Sequence, residues 1–146
     1  MYRKILVPLD GSAVAEKALD TAVELARLTG AELILFRALV LPSYHFAVPG
    51  GFPLNMTELV DSEKSAAHAY LDRLQALHSE QGLKVRVSLT EGKAAAAILE
   101  SAETEDVDLL VLASHGQGGL ERWVYGSVAD RVLRKCKRNL LLVRSR

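Results

Sequence analysis

Five short apolar runs alternate with four stretches of helical periodicity, and this alternation is the strongest constraint on the fold. The runs are KILVPLD (Lys4–Asp10), AELILFRALV (Ala31–Val40), KVRVSLT (Lys84–Thr90), VDLLVLAS (Val107–Ser114) and NLLLVRS (Asn139–Ser145). Four of them are almost unbroken in apolar residues, as strands become when helices cover both faces of a sheet. The third alternates more, which predicts an edge strand. A β-α-β-α-β-α-β-α-β order implies parallel strands joined by right-handed crossovers. The expected class is therefore α/β: a single-domain, open five-stranded parallel sheet flanked by four helices. At 146 residues the whole chain, 1–146, is read as one domain.

The helices carry their own start and stop signals. The first pattern places Val14, Ala18, Ala22, Leu25 and Leu28 on one stripe and stops at Gly30. Ser12 and Glu16 sit near its start, at a spacing of four rather than the three of a capping box. The second pattern runs from Met56 to Gly82, the third from Lys93 to Glu105 and the fourth from Gly126 to Arg138. The only sizeable irregular segment, Leu41–Asn55, holds three of the four prolines. A segment of that length is a lid, a binding loop or a disordered stretch.

Charge and composition exclude several classes. The formal net charge is zero, but residues 1–121 carry 10 Lys and Arg against 17 Asp and Glu, and residues 122–146 carry 8 cations against Asp130 alone. Lys135, Lys137 and Arg138 are read as cations at the C-terminus of the last helix, where the helix dipole favours them. Aromatic residues make up 5% of the chain, too few for a stacking platform, so nucleic acid is not an expected partner. No apolar run approaches the roughly 20 residues that span a bilayer. The first residues, MYRKILVPLD, do not resemble a signal peptide, and a cytoplasmic location is expected. The lone Cys136 allows no internal disulfide, and His45, His68, His78 and His115 are too scattered to suggest a metal site.

In open parallel sheets, ligands bind beyond the carboxyl ends of the strands, where the strand order reverses. Three chain segments qualify: Pro8 to Ser12, Ala38 to Val40, and Ala113 to Gly116. The Walker pattern is absent, and the residues after the first strand, DGSAVA, lack the dinucleotide glycines. The loop after the fourth strand nevertheless suits an anion. Gly116, Gly118 and Gly119 let backbone N–H groups converge on a ligand. Gly126-Ser127 then opens a helix, whose free N–H groups and dipole attract negative charge. Two such stations suit a polyphosphate. The plainer reading is a set of turns, with Ser127 and Asp10 as ordinary helix caps.

On these residues the chain resembles the universal stress protein family. The match runs from KILVPLDGS through EGKAAAAILESAE, VDLLVLASHGQGG and GSVADRVLRK to the last short run. The family's ATP-binding branch carries glycine, two residues, glycine, nine residues, glycine and then serine or threonine. Here Gly116 and Gly126-Ser127 keep that spacing, but Ala113 stands at the first glycine position. The resemblance implies a Rossmann-like fold of the adenine nucleotide alpha hydrolase type and an ATP ligand, with or without Mg2+. It implies an adenine pocket of Pro8, Leu9, Ala38 and Leu112, with Asp10 at the ribose or adenine end. Ala113, Ser114, His115 and Gly116 would approach the phosphates, and Gly126, Ser127 and Val128 would complete the cradle. Trp123 would pack, and Arg122 would lie within reach of a phosphate. A homodimer through Asn139–Ser145 is implied, consistent with an apolar strand at a sheet edge. The expected role is a nucleotide-dependent sensor or regulator in the stress response. The alternatives are a weak ATPase or nucleotidyl or phosphoryl transferase, and a dimeric interaction module without nucleotide. Phosphoryl transfer needs metal-binding carboxylates, and only Asp10 is placed on the binding edge.

Overall fold

Each apolar run forms a strand in the computed structural model, which describes residues 1–40, 56–114 and 126–144. The strands are β1 (Lys4–Pro8), β2 (Glu32–Leu39), β3 (Val85–Glu91), β4 (Leu109–Ala113) and β5 (Asn139–Val143). They make one sheet in the order β3-β2-β1-β4-β5, and every neighbouring pair is parallel. The helices α1 (Ala13–Thr29), α2 (Met56–Glu80), α3 (Ala94–Thr104) and α4 (Ser127–Lys135) fill the crossovers. The α/β class, the parallel sheet and the edge position of the third strand follow the sequence reading. The Leu41–Asn55 segment lies outside the described residues.

The unbroken apolar runs are explained by two core layers. Alternate residues of a strand point to opposite faces. Ile5 and Val7, Leu33 and Leu35, and Leu109 and Val111 pack with α1 and with Leu71 of α2. Their neighbours Leu6, Ile34, Phe36, Leu110 and Leu112 pack with Ile98 of α3 and Val132 of α4. Among the described residues, no helix is long and apolar enough to cross a membrane.

Local signals set the ends of α1. Ser12 is its N-cap, and its Oγ accepts the Ala15 N–H at 3.2 Å. Gly30 closes it at φ 73°, donating its N–H to the Ala26 carbonyl at 2.8 Å. The buried stripe is Ala15, Ala18, Leu19, Ala22, Val23 and Ala26. That stripe is rotated from the expected one, and Leu28 is 80% exposed. At 100° per residue, Leu28 falls on the side opposite a stripe centred on these small residues, whose size lets the helix lie close to the sheet.

The last helix also differs from expectation. α4 stops at Lys135, and Cys136 is its C-cap in an extended conformation, so Lys137 and Arg138 lie beyond it. Arg138 does not complement a helix end. Its guanidinium binds Glu103 at 3.0 Å and Asp106 at 2.8 Å, and donates to the Val107 carbonyl at 3.4 Å. This ties the start of β5 to the end of α3, a contact between segments more than 30 residues apart.

The same amino-end rim of the sheet carries a second tie. The Asp108 carboxylate accepts the Arg3 and Lys4 N–H groups at 2.7 and 2.8 Å, clamping the entry of β1 to that of β4. These two bonds hold its pKa below the ordinary carboxylate value. A depressed folded-state pKa contributes stability above the unfolded value and loses it as the pH falls through the folded one. Asp108→Ala is therefore expected to cost about 1 kcal/mol at pH 7, given partial exposure. The gap from the unsubstituted protein should narrow as the pH falls below about 4, the ordinary carboxylate value, towards the lower folded-state pKa. Urea unfolding at pH 7 and pH 3 tests this, and a gap undiminished at pH 3 contradicts the electrostatic account.

Candidate functional site

The strand order reverses between β1 and β4, so their carboxyl ends diverge to opposite sides and leave a crevice. β1 delivers Pro8, Leu9 and Asp10 to it. The chain follows the sheet one residue past β1, because the Leu9 N–H reaches the Phe36 carbonyl at 2.7 Å. It then turns sharply. Asp10 Oδ1 accepts the Ser12 N–H at 2.9 Å, and Gly11 between them has φ +86°. This turn is of the Asx type, and glycine supplies the positive φ without penalty. It leaves the Asp10 carboxylate on the rim.

β4 brings Leu112, Ala113 and Ser114. The Ser114 N–H donates to the Val143 carbonyl at 2.9 Å, extending the β4–β5 ladder past the strand end. Ser114 is 3% exposed, and its Oγ is enclosed without a hydrogen-bond partner among the described residues. Across from it, α4 begins. A Cβ at Gly126 would lie 3.7 Å from the Ser114 carbonyl, so the two backbones run side by side. Gly126 is the N-cap of α4 and Ser127 its first helical residue, so Ser127 is not a plain cap. Among the described residues no side chain caps this end, where the first-turn N–H groups stand at the positive end of the helix dipole.

These segments enclose a cleft of about 330 Å³, within the range of small-molecule sites. It is lined by Pro8, Leu9, Asp10, Ala38, Leu112, Ala113, Ser114, Gly126, Ser127 and Val128, all of them singled out in the sequence. His115 and Gly116, like Gly118, Gly119, Arg122 and Trp123, lie outside the described residues. Four further lining residues escape a strand-end reading: Ala15 of α1, Ala94 and Ile98 of α3, and Ala129 of α4. Ala94 opens α3, whose N-cap Lys93 makes no side-chain capping bond. The available signal was positional, because every helix that follows a parallel strand starts on the same rim. The floor is apolar, and Asp10 is the sole carboxylate among the described lining residues. The site can take a planar apolar group below, a hydroxyl at Asp10 and an anion at α4.

The model of the universal stress protein family matches residues 1–144. The chain belongs to that family. A universal stress protein of Methanocaldococcus jannaschii is 33% identical over 145 residues, covering 99% of this chain and 83% of the relative. Among solved structures, the Lactobacillus plantarum universal stress protein UspA has a TM-score of 0.83 at 25% identity, covering 98% of each chain. A universal stress protein solved in complex with cAMP has a TM-score of 0.70 at 25% identity, covering 98% of this chain and 97% of that one. The fold of this universal stress protein is thus that of its relatives, sheet and helices alike.

Proposed function

We propose that this protein binds an adenine nucleotide in the cleft between β1, β4 and α4, with ATP as the ligand, and acts as a cytoplasmic nucleotide-dependent sensor or regulator in the stress response. The observation that carries the reading is the meeting, in one cleft, of an apolar floor, a rim carboxylate and a helix N-terminus opened by Gly126-Ser127. Pro8, Leu9, Ala38 and Leu112 suit an adenine ring, whose faces are apolar. Asp10 suits a ribose hydroxyl, which donates to a carboxylate. The N–H groups opening α4, with the Ser127 hydroxyl, suit phosphate oxygens. The cAMP complex of a family member supports the ligand class. A Mg2+ ion would be held chiefly by the phosphates, because Asp10 alone cannot provide a hard-cation cage.

Binding without efficient turnover follows from the same residues. Phosphoryl transfer needs carboxylates on metal and a positioned nucleophile. The described lining residues supply one carboxylate, and one of its oxygens already accepts the Ser12 N–H. Ala113 favours one second reading, a dimeric interaction module without nucleotide, because its methyl group occupies the rim where the family motif has glycine.

The test begins with protein purified from its expression host. It is denatured, and the supernatant is resolved by nucleotide chromatography. Refolded or apo protein is then titrated with ATP, AMP and cAMP, with and without Mg2+, by thermal shift and by phosphate release. Bound adenine nucleotide or a clear stabilisation, without turnover, is the expected outcome. Steady phosphate release lost in Asp10→Ala would make it an enzyme. No shift with any of the three would leave the interaction module.

We also infer a homodimer through the last strand, β5 (Asn139–Val143), within the Asn139–Ser145 run; Ser145 lies outside the described residues. Leu140 to Val143 are only half-buried, and β5 ends the sheet. Val143 uses its carbonyl on Ser114, so the alternation of a parallel ladder turns the Leu142 N–H outward. Leu142→Pro should then remove a dimer bond without touching the β4–β5 ladder. Analytical ultracentrifugation is expected to show dimer for Leu142→Val and monomer for Leu142→Pro. Equal dimer populations would remove the β5 interface.

A further inference from the structure

Arg37 is out of place for its position in β2. Strand alternation puts it on the face of Leu33 and Leu35, both fully buried in the α1–α2 core layer. Arg37 is half-buried there and forms no ion pair or side-chain hydrogen bond among the described residues. A partly desolvated guanidinium without such partners carries a cost. Two contacts indicate what it does instead. Its guanidinium carbon lies 5.7 Å from the centre of the Tyr70 ring, a cation–π distance. Its Nη1 lies 3.6 Å from the point where a Gly11 Cβ would stand. Gly11 is the pivot of the turn that fixes Asp10.

Tyr70 is itself anchored. Arg73, one turn further along α2, approaches the same ring at 5.6 Å. The Tyr70 hydroxyl is enclosed and has no hydrogen-bond partner among the described residues. Burial raises its pKa, and the nearby Glu16 and Asp10 carboxylates raise it further while Arg37 opposes them. Arg37, Tyr70 and Glu16 thus share one neighbourhood behind the β1–α1 turn, with Asp10 at its edge, where the turn meets the cleft.

We infer that Arg37, held against Tyr70, is a positioning residue that backs the Asp10-Gly11-Ser12 turn and holds the Asp10 carboxylate towards the cleft. The inference rests on the nucleotide-binding reading for its effect on affinity, but not for its effect on the turn. Arg37 fills the space beneath Gly11, which has no side chain of its own to brace the turn. Its positive charge lies on the far side of the turn from the cleft, so it does not compete for the ligand's hydroxyl. Ala38, the next residue of β2, lines the cleft from the other face. One strand end therefore supplies both a wall of the site and the brace behind it.

The test uses Arg37→Met, which keeps the apolar stem and removes the guanidinium. In the ligand-free protein, amide hydrogen exchange over residues 9–16 should accelerate, while the turns of α1 from Ala18 to Ala26 keep their protection. Affinity for ATP should fall about tenfold, the size expected when one hydrogen bond to a charged group is lost. Asp10→Asn should add less than about threefold to that loss in the Arg37→Met background, because coupled residues are not additive. Tyr70→Leu should reproduce the exchange change in part. Unchanged exchange over residues 9–16 overturns the inference whether or not nucleotide binds. Equal ATP affinity, or losses that simply add, overturns it as well. If the unsubstituted protein binds no nucleotide while the exchange change is seen, the functional reading fails and the brace stands.

Discussion

Gly126→Val abolishes nucleotide retention and leaves the fold intact: this is the expected result if α4 is the phosphate station. A Cβ at Gly126 meets the Ser114 carbonyl at 3.7 Å, an ordinary contact, so the backbone has room for one carbon. The two branched methyl groups of valine are another matter. They would stand between Ser114 and the opening N–H groups of α4, in the space where an anion must approach. Two or more charge-assisted hydrogen bonds would be lost at about 1.5–3 kcal/mol each, or at least a hundredfold in affinity. Isothermal titration with ATP and a thermal melt of the apo protein measure both halves of the claim. Gly126→Ala is the graded control and should lose less. Wild-type affinity in Gly126→Val would move the phosphates away from α4.

The largest expected effect on stability lies one layer deeper, at Phe36. This residue of β2 is fully buried, in the layer beneath α3 and α4. Its carbonyl also accepts the Leu9 N–H that carries β1 on towards Asp10. Phe36→Ala is expected to cost about 3–5 kcal/mol through lost transfer energy and the cavity left behind. For a chain of this size that corresponds to a fall of roughly 10–15 °C in Tm. Phe36→Leu should keep most of the stability, since it fills more of the volume. A fall of only a few degrees in Phe36→Ala would mean that the layer repacks freely.

Much of the site could be read without coordinates because its signals are local. Pro8-Leu9-Asp10-Gly11-Ser12 announces a strand end followed by a helix start within five residues, and the structure places both there, with Ser12 rather than Asp10 as the cap. Gly126-Ser127 announces a helix start at the right distance from Ala113, and α4 begins there. Ala94 and Ile98 gave no such signal, since alanine and isoleucine in a helix read equally well as core. Ile98 is 3% exposed and lines the cleft as well. Only the docking of α3 against the sheet reveals the second role. The same holds for Arg138, whose cationic run suggested a helix end until the partners on α3 were seen.

Periodicity along the chain was enough for the elements, their parallel class and the strand ends that face the ligand, because period, turn chemistry and capping act over a few residues. Which way each helix is rotated, which alanines line the cleft, why Leu28 faces water and why an arginine stands in the core face of β2 depended on packing between distant segments. Those features arise from contacts separated by tens of residues, where close packing selects one arrangement among many that share the same local pattern.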